Sequence, residues 1–259
     1  MSRSAGEKGH MNPLSGRAIA FLPGLDGTGI SFEPLAPFLP PDTAVRVVRY
    51  PPENLSFAET VQCAAEQVPP DLENAVVLAE SFSGPVAVEL AASGRIRAKC
   101  LVLCSTFARS PRPVLLNALR HLPLERVLGL PVPRFIFRRI TAGGNEAADL
   151  FLDLLSRVRD LVPAGVLAHR LGVIAGVDVR HRLPCLRMPC LYIQAASDRS
   201  VPASCLHDFA CAVPDLRVKR MVGPHFILQA RPAACLQAIG DFVRLVEGRS
   251  VEPQSCPGG

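Results

Sequence analysis

Ser81, Asp198 and His225 are residue types that together can carry out nucleophilic acyl transfer. A serine hydroxyl attacks poorly until a base takes its proton, and the base acts best when an acid orients its ring. Ser81 lies in Ala79-Glu80-Ser81-Phe82-Ser83-Gly84, between the apolar run AVVLAE (75–80) and the helical stretch GPVAVELAA. A sharp strand-to-helix turn would hold the serine out of the backbone, with small residues two positions before and after it. The usual pattern there is Gly-x-Ser-x-Gly. Here Ala79 and Ser83 replace both glycines, and Gly84 falls where close strand–helix packing wants it. Taken alone, Ser81 could equally be a helix N-cap.

Its partners weigh against that reading. In an open α/β sheet the expected order is Ser, then Asp or Glu, then His. Asp198 stands just beyond an apolar strand in YIQAASDRSVP, and His225 just beyond the next strand in VKRMVGPHFILQ. All three follow the carboxyl ends of strands, where open α/β sheets place their sites. Acyl transfer also needs donors for the developing oxyanion. The N–H of Phe82 is one candidate. The other is the N–H of Leu25 in LPGLDGTG (22–29), where Gly24 is expected to let the backbone turn. Gly24 and Asp26 are candidate substrate contacts, and a role for Asp26 in bracing the loop stands open beside that. Gly24, Gly27 and Gly29 do not make Gly-x-Gly-x-x-Gly, and no Gly-Lys-Ser/Thr follows, so a nucleotide site is not expected.

The elements that must position these residues alternate. Strand-like runs at 18–24, 44–50, 75–80, 99–105, 190–196 and 216–222 are separated by helix-like runs. FEPLAPFL reads as helical, and Ser56 with Glu59 makes a capping-box pattern before AETVQCAAEQV. Near-continuous apolar strands between helices predict an α/β fold with a mostly parallel sheet covered on both faces. The rhythm breaks at 109–187, which reads as several short helices inserted as a cap over the sheet. The expected division is a flexible leader at 1–16, a core at 17–108 and 188–247, the cap at 109–187, and a flexible tail at 248–259.

The 109–187 stretch holds thirteen arginines, no lysine and six acidic residues, a net charge of +7, while the rest of the chain sums to −2. Hydrophobic residues make up 49% of the 259, enough to bury a sizeable core. The N-terminal segment lacks the apolar centre of a signal peptide. The nine cysteines, mostly in apolar runs, read as reduced buried thiols, which fits a cytoplasmic location. No Cys or His spacing suggests a metal site, and His169 and His181 read as surface or packing residues.

At FLPGLDGTG, AESFSGP, ASDRSVP and VGPHFILQ the chain resembles the α/β-hydrolase superfamily. More narrowly, it is similar to small bacterial hydrolases with a Leu-Pro-Gly-x-Asp-Gly-Thr-Gly loop, and related segments occur in plastid acyltransferases that make phytyl esters. The resemblance covers about 18–108 and 188–246. It implies an α/β-hydrolase fold, a triad on Ser81, Asp198 and His225, and oxyanion donors on Leu25 and Phe82. A serine nucleophile argues against the dehalogenase and epoxide-hydrolase branches, which would use Asp.

The expected activity is cofactor-free hydrolysis of carboxylic esters, of small to medium acyl chain or otherwise apolar, through an acyl-enzyme on Ser81. Two alternatives are an acyltransferase or thioesterase using the same intermediate and a non-catalytic binding protein on this fold. A lyase using the same triad is a further possibility. Leu-rich segments such as PVLLNALRHLPLERVLGL either line a substrate pocket or pack on the core. PRFIFRRI (133–140) reads as a solvated arginine face, or as a contact for an anionic membrane surface or an acidic acyl-carrier protein. Nucleic acid is not an expected partner, because the arginines cluster in the cap and aromatics are scarce.

Overall fold

The computed structural model describes residues 12–69, 71–119, 121–130 and 145–249. Its strands are β1 (Ala18–Leu22), β2 (Ala44–Val47), β3 (Asp71–Glu80), β4 (Arg97–Cys104), β5 (Cys190–Ala195) and β6 (Leu216–Met221). They form one sheet in the order β2-β1-β3-β4-β5-β6, with every neighbouring pair parallel. The helices are α1 (Phe57–Gln67), α2 (Ser83–Ala92), α3 (Pro113–Leu119), α4 (Leu124–Leu128), α5 (Asn145–Leu161), α6 (Ala164–Gly176), α7 (Cys205–Ala212), α8 (Ile227–Ala230) and α9 (Pro232–Arg249). No helix among the described residues is long and apolar enough to cross a membrane.

The inner strands β1, β3, β4 and β5 are largely apolar because both faces of the sheet are covered there, whereas the edge strands β2 (AVRV) and β6 (LRVKRM) carry basic residues and are largely exposed, so the expected covering stops short of the edges. Successive side chains point to opposite faces. On β1, Ile19 and Phe21 enter one core, while Ala20 and Leu22 enter the other. On β3, Val76 and Leu78 join the first core, and Val77 and Ala79 the second. The first core is closed by α9 and a 3-10 helix, Ile30–Phe38; the second is closed by α1, α2 and α7.

Local sequence explains the ends. Ser56 Oγ accepts from the Glu59 N–H at 3.3 Å, and Glu59 Oε2 accepts from the Ser56 N–H at 2.8 Å, completing the capping box of α1. The FEPLAPFL stretch is helical but 3-10 rather than α. Pro34 and Pro37 lie inside it, and the ring of a proline clashes with the carbonyl four residues before it in a continued α-helix.

Among its described residues the connection from β4 to β5 is mostly helical, and the two longest helices described there, α5 and α6, have 17 and 13 residues. These are longer than the short helices expected. The helices α3 and α4 pack on α6. The ends of the connection meet at an isolated antiparallel bridge between Arg109 and Asp178. The 133–140 run lies outside the described residues, as do 1–11 of the expected leader and 250–259 of the expected tail.

Gly84, in the first turn of α2, packs against Thr106. A Cβ there would overlap Thr106 Oγ1 and lie 2.7 Å from Thr106 Cβ. Thr106 cannot simply rotate away, because its hydroxyl donates to the Ser81 carbonyl at 2.5 Å. Gly84→Ala is expected to cost roughly 1–3 kcal/mol of stability, read as a lower denaturant midpoint.

Candidate active site

Ser81 occupies the turn between β3 and α2 with φ of 49°, in the left-handed region. A non-glycine residue holds that conformation only when its surroundings over-determine it. Here the Ser81 N–H donates to Cys104 O at 2.9 Å, and Thr106 Oγ1 holds the Ser81 carbonyl. Ala79 is fully buried, in register with Leu22 on β1 and Leu103 on β4, so a larger side chain would have no room.

Asp198 follows β5 and His225 follows β6. The two loops are tied by a hydrogen bond from Ser197 N–H to Gly223 O at 2.9 Å. His225 Nδ1 lies 2.7 Å from Asp198 Oδ2, and His225 Nε2 lies 3.0 Å from Ser81 Oγ. The Asp198 and His225 side chains are only 6% and 11% exposed, so the line of bonds runs through a largely dry environment. An ionised carboxylate only accepts hydrogen bonds, so the imidazole carries its proton on Nδ1 and leaves Nε2 free to take one from Ser81. The other Asp198 oxygen accepts from the Ser200 and Val201 N–H groups, both at 2.8 Å, which fixes the carboxylate. The structure thus brings together three residues that lie 117 and 27 positions apart in sequence.

The N–H groups of Leu25 and Phe82 have no hydrogen-bond partner among the described residues. Leu25 lies in a turn closed by the Gly27 N–H donating to Gly24 O at 3.1 Å. Gly24 lines the cavity beside Ser81 and begins this turn. The left-handed angles fall on Gly27 and Gly29, with φ of 71° and 76°. A Cβ on Gly24 would make only ordinary contacts, at 3.8 Å, with Asp26 and Glu80. The Asp26 carboxylate braces the loop: it accepts from the Thr28 N–H at 2.8 Å and from the Thr28 hydroxyl. Asp26 also lines the cavity.

Several residues at the site carry no signal in sequence. Ser83 is fully buried, and its hydroxyl donates to Pro23 O while accepting from Tyr50 OH, which lies 2.6 Å away. The departure from glycine at 83 is therefore a tie between the serine turn and the Leu25 loop. Arg170 on α6 also reaches this loop. The one hint of it in sequence is a single arginine inside the otherwise apolar end of the AGVLAHRLGVIAG helix.

Glu80, next to Ser81, is 4% exposed and accepts from Gln229 Nε2 at 3.0 Å and from Ser31 Oγ at 3.4 Å. Burial pushes its carboxyl from 4.5 up to about 7, against the pull of Gln229 and His225. The folded-state pKa lies above the unfolded one, so the native state holds this proton more tightly. Stability from this group is full below about pH 4.5, falls as pH rises towards 7, and is flat above. Glu80→Gln keeps an oxygen for Gln229 and buries no charge. It is expected to flatten thermal stability across that window and to raise it above wild type at pH 8 by up to about 3 kcal/mol, read by calorimetry over a pH series.

Above Ser81 lies a cavity of about 680 Å3. Leu115, Leu116, Leu128, Leu155, Leu171 and Ile174 from the β4–β5 connection form much of its apolar wall. The Leu-rich helices therefore line a pocket.

No family model matches the sequence, and no curated protein does. Solved structures do match. An enol-lactonase from Burkholderia xenovorans LB400 superposes with a TM-score of 0.69 at 18% identity, over 89% of this chain and 92% of that one. An esterase from Exiguobacterium antarcticum gives 0.71 at 13%, again over 89% and 92%. A proline iminopeptidase from Mycobacterium smegmatis gives 0.67 at 16%, over 91% of both chains. The fold is the α/β-hydrolase fold. At these identities the likeness speaks to architecture, and the reaction must be argued from the residues. Open parallel α/β sheets place their sites beyond the carboxyl ends of the strands, and Ser81, Asp198 and His225 all stand there.

Proposed function

We propose that the protein is a serine hydrolase that cleaves carboxylic esters through an acyl-enzyme on Ser81. The observation that carries this reading is the unbroken line Asp198–His225–Ser81, at 2.7 and 3.0 Å, opening into an apolar cavity. The likeness of 22–29 to the Leu-Pro-Gly-x-Asp-Gly-Thr-Gly loop of small bacterial hydrolases agrees with it. Residues 109–187 act as the cap that supplies the pocket wall.

Ser81 Oγ bonds to the ester carbonyl carbon as its proton passes to His225 Nε2. Asp198 holds the ring and stabilises the imidazolium. The N–H groups of Leu25 and Phe82 take the negative charge of the tetrahedral intermediate, each contributing roughly 3 kcal/mol. The carbon–alkoxy bond then breaks, and His225 returns the proton to the departing alcohol. Water attacks the acyl-enzyme with His225 again as base, the acid leaves, and Ser81 regains its proton. No step draws on a cofactor.

The cavity wall favours an apolar acyl or alcohol group of small to medium length. A p-nitrophenyl ester series from two to twelve carbons, with and without added alcohol, tests the reading. Ser81-dependent release of free acid, with an optimum set by the cavity, is the expected result. Acyl transfer to the alcohol in preference to water would make the protein an acyltransferase. Release that does not depend on Ser81 would contradict the proposal.

A further inference from the structure

Arg170 is 3% exposed, yet among the described residues it makes no ion pair with a carboxylate. A buried cation without a counter-ion is costly unless its donors are satisfied by other means. Here backbone carbonyls do so. Nη1 donates to Leu25 O at 3.0 Å and Asp26 O at 2.6 Å, and Nη2 donates to Pro51 O at 2.8 Å. The guanidinium also lies 5.9 Å from the centre of the Tyr50 ring. Gly27 leaves it room, since a Cβ there would sit 2.6 Å from Nη1. Burial draws the Arg170 pKa down, with Asp26 opposing.

The carbonyls of the loop account for themselves one by one. Pro23 O accepts from Ser83, Gly24 O from the Gly27 N–H, Leu25 O and Asp26 O from Arg170, and Gly27 O from the Tyr50 N–H at 2.8 Å. Five successive carbonyls are engaged, and the Leu25 N–H between them has no partner among the described residues. Arg170 is the member of this set that comes from the β4–β5 connection. The same helix, α6, lines the cavity with Leu167, Leu171 and Ile174, so whatever fills the cavity touches the element that holds the loop.

We infer that Arg170 is the positioning residue of the oxyanion site: through the Leu25 and Asp26 carbonyls it fixes the Leu25 N–H in the pose that a tetrahedral intermediate requires. The inference rests on the acyl-enzyme reading of Ser81. It makes α6 part of the catalytic support as well as a pocket wall. Arg170 itself touches no reacting atom.

Arg170→Lys and Arg170→Met test this. Lysine keeps the charge but not the fork that spans the Leu25, Asp26 and Pro51 carbonyls. Two readouts are needed: kcat and KM on the best ester of the series, and affinity for a matched pair of inhibitors. A trifluoromethyl ketone adds Ser81 and forms an oxyanion, while the secondary alcohol of the same chain fills the pocket without reacting. Expected is a folded variant whose kcat falls roughly 10- to 100-fold with KM little changed. Ketone affinity should fall by a similar factor and alcohol affinity should hold. Unchanged kcat in a folded variant would overturn the inference, and so would equal losses for ketone and alcohol, which would mean a change of pocket shape. Failure of both variants to fold would also count against it, making Arg170 an element of the fold alone. If wild type binds the ketone no better than Ser81→Ala does, the acyl-enzyme reading fails first and this inference with it.

Discussion

Ser81→Ala is expected to lower kcat for ester hydrolysis by at least roughly 10⁴-fold while leaving the protein folded. The substitution removes only the hydroxyl that lies 3.0 Å from His225 Nε2. The bonds that hold the turn run through the backbone of residue 81, to Cys104 O and from Thr106 Oγ1, and do not depend on that hydroxyl. Thermal unfolding should therefore match wild type, and KM or inhibitor affinity should change little. Steady-state kinetics beside a melting curve checks both halves. A matched loss of stability would mean that the serine serves the turn rather than the chemistry.

Asp198→Asn should be nearly as severe, with kcat falling on the order of 10⁴-fold. The carboxylate oxygen Oδ2 faces His225 Nδ1 at 2.7 Å, and it selects the tautomer whose Nε2 can act as base. An amide in its place can turn its NH2 towards Nδ1. That would favour the other tautomer and leave nothing to stabilise the imidazolium. Asparagine keeps an oxygen for the Ser200 and Val201 N–H groups, so the loop after β5 should hold its shape. Asp198→Ala removes those two bonds as well, so it is expected to lower the melting temperature where Asp198→Asn does not. The pair of variants separates the orienting role from the bracing role.

The inner strands were legible in sequence because each holds a buried apolar run, and such a run needs no partner to be recognised; the exposed edge strands β2 and β6, with Arg46, Arg217, Lys219 and Arg220, were legible from their place in the alternation of strand-like and helix-like runs. Ser81, Asp198 and His225 were legible for a related reason. Each follows the end of a strand, and the chain order matches the order of the sheet edge. What could not be read is what crosses the molecule. Arg170 meets Leu25 across 145 positions, and Gln229 meets Glu80 across 149. No local pattern encodes such pairs. Ser83 looked like a small substitute for glycine, because size can be read locally and its hydroxyl partners, Tyr50 and Pro23, cannot. The turn at Gly24 was legible, whereas the left-handed angles of the loop fall on Gly27 and Gly29, three and five positions later, which the spacing of its glycines does not tell apart. The departure of Ile30–Phe38 from α geometry has a local cause in its two prolines, whose rings do not fit a continued α-helix.

The most direct test of the account is covalent labelling with an alkyl fluorophosphonate, read by intact-protein and peptide mass spectrometry. A single adduct is expected on the native protein, located on the peptide that contains Ser81. No adduct is expected on Ser81→Ala and none on protein unfolded before exposure, because activation comes from His225 held in place by the fold. Absence of an adduct on Ser81 in the native protein, or an adduct of equal yield on Ser81→Ala, would contradict it.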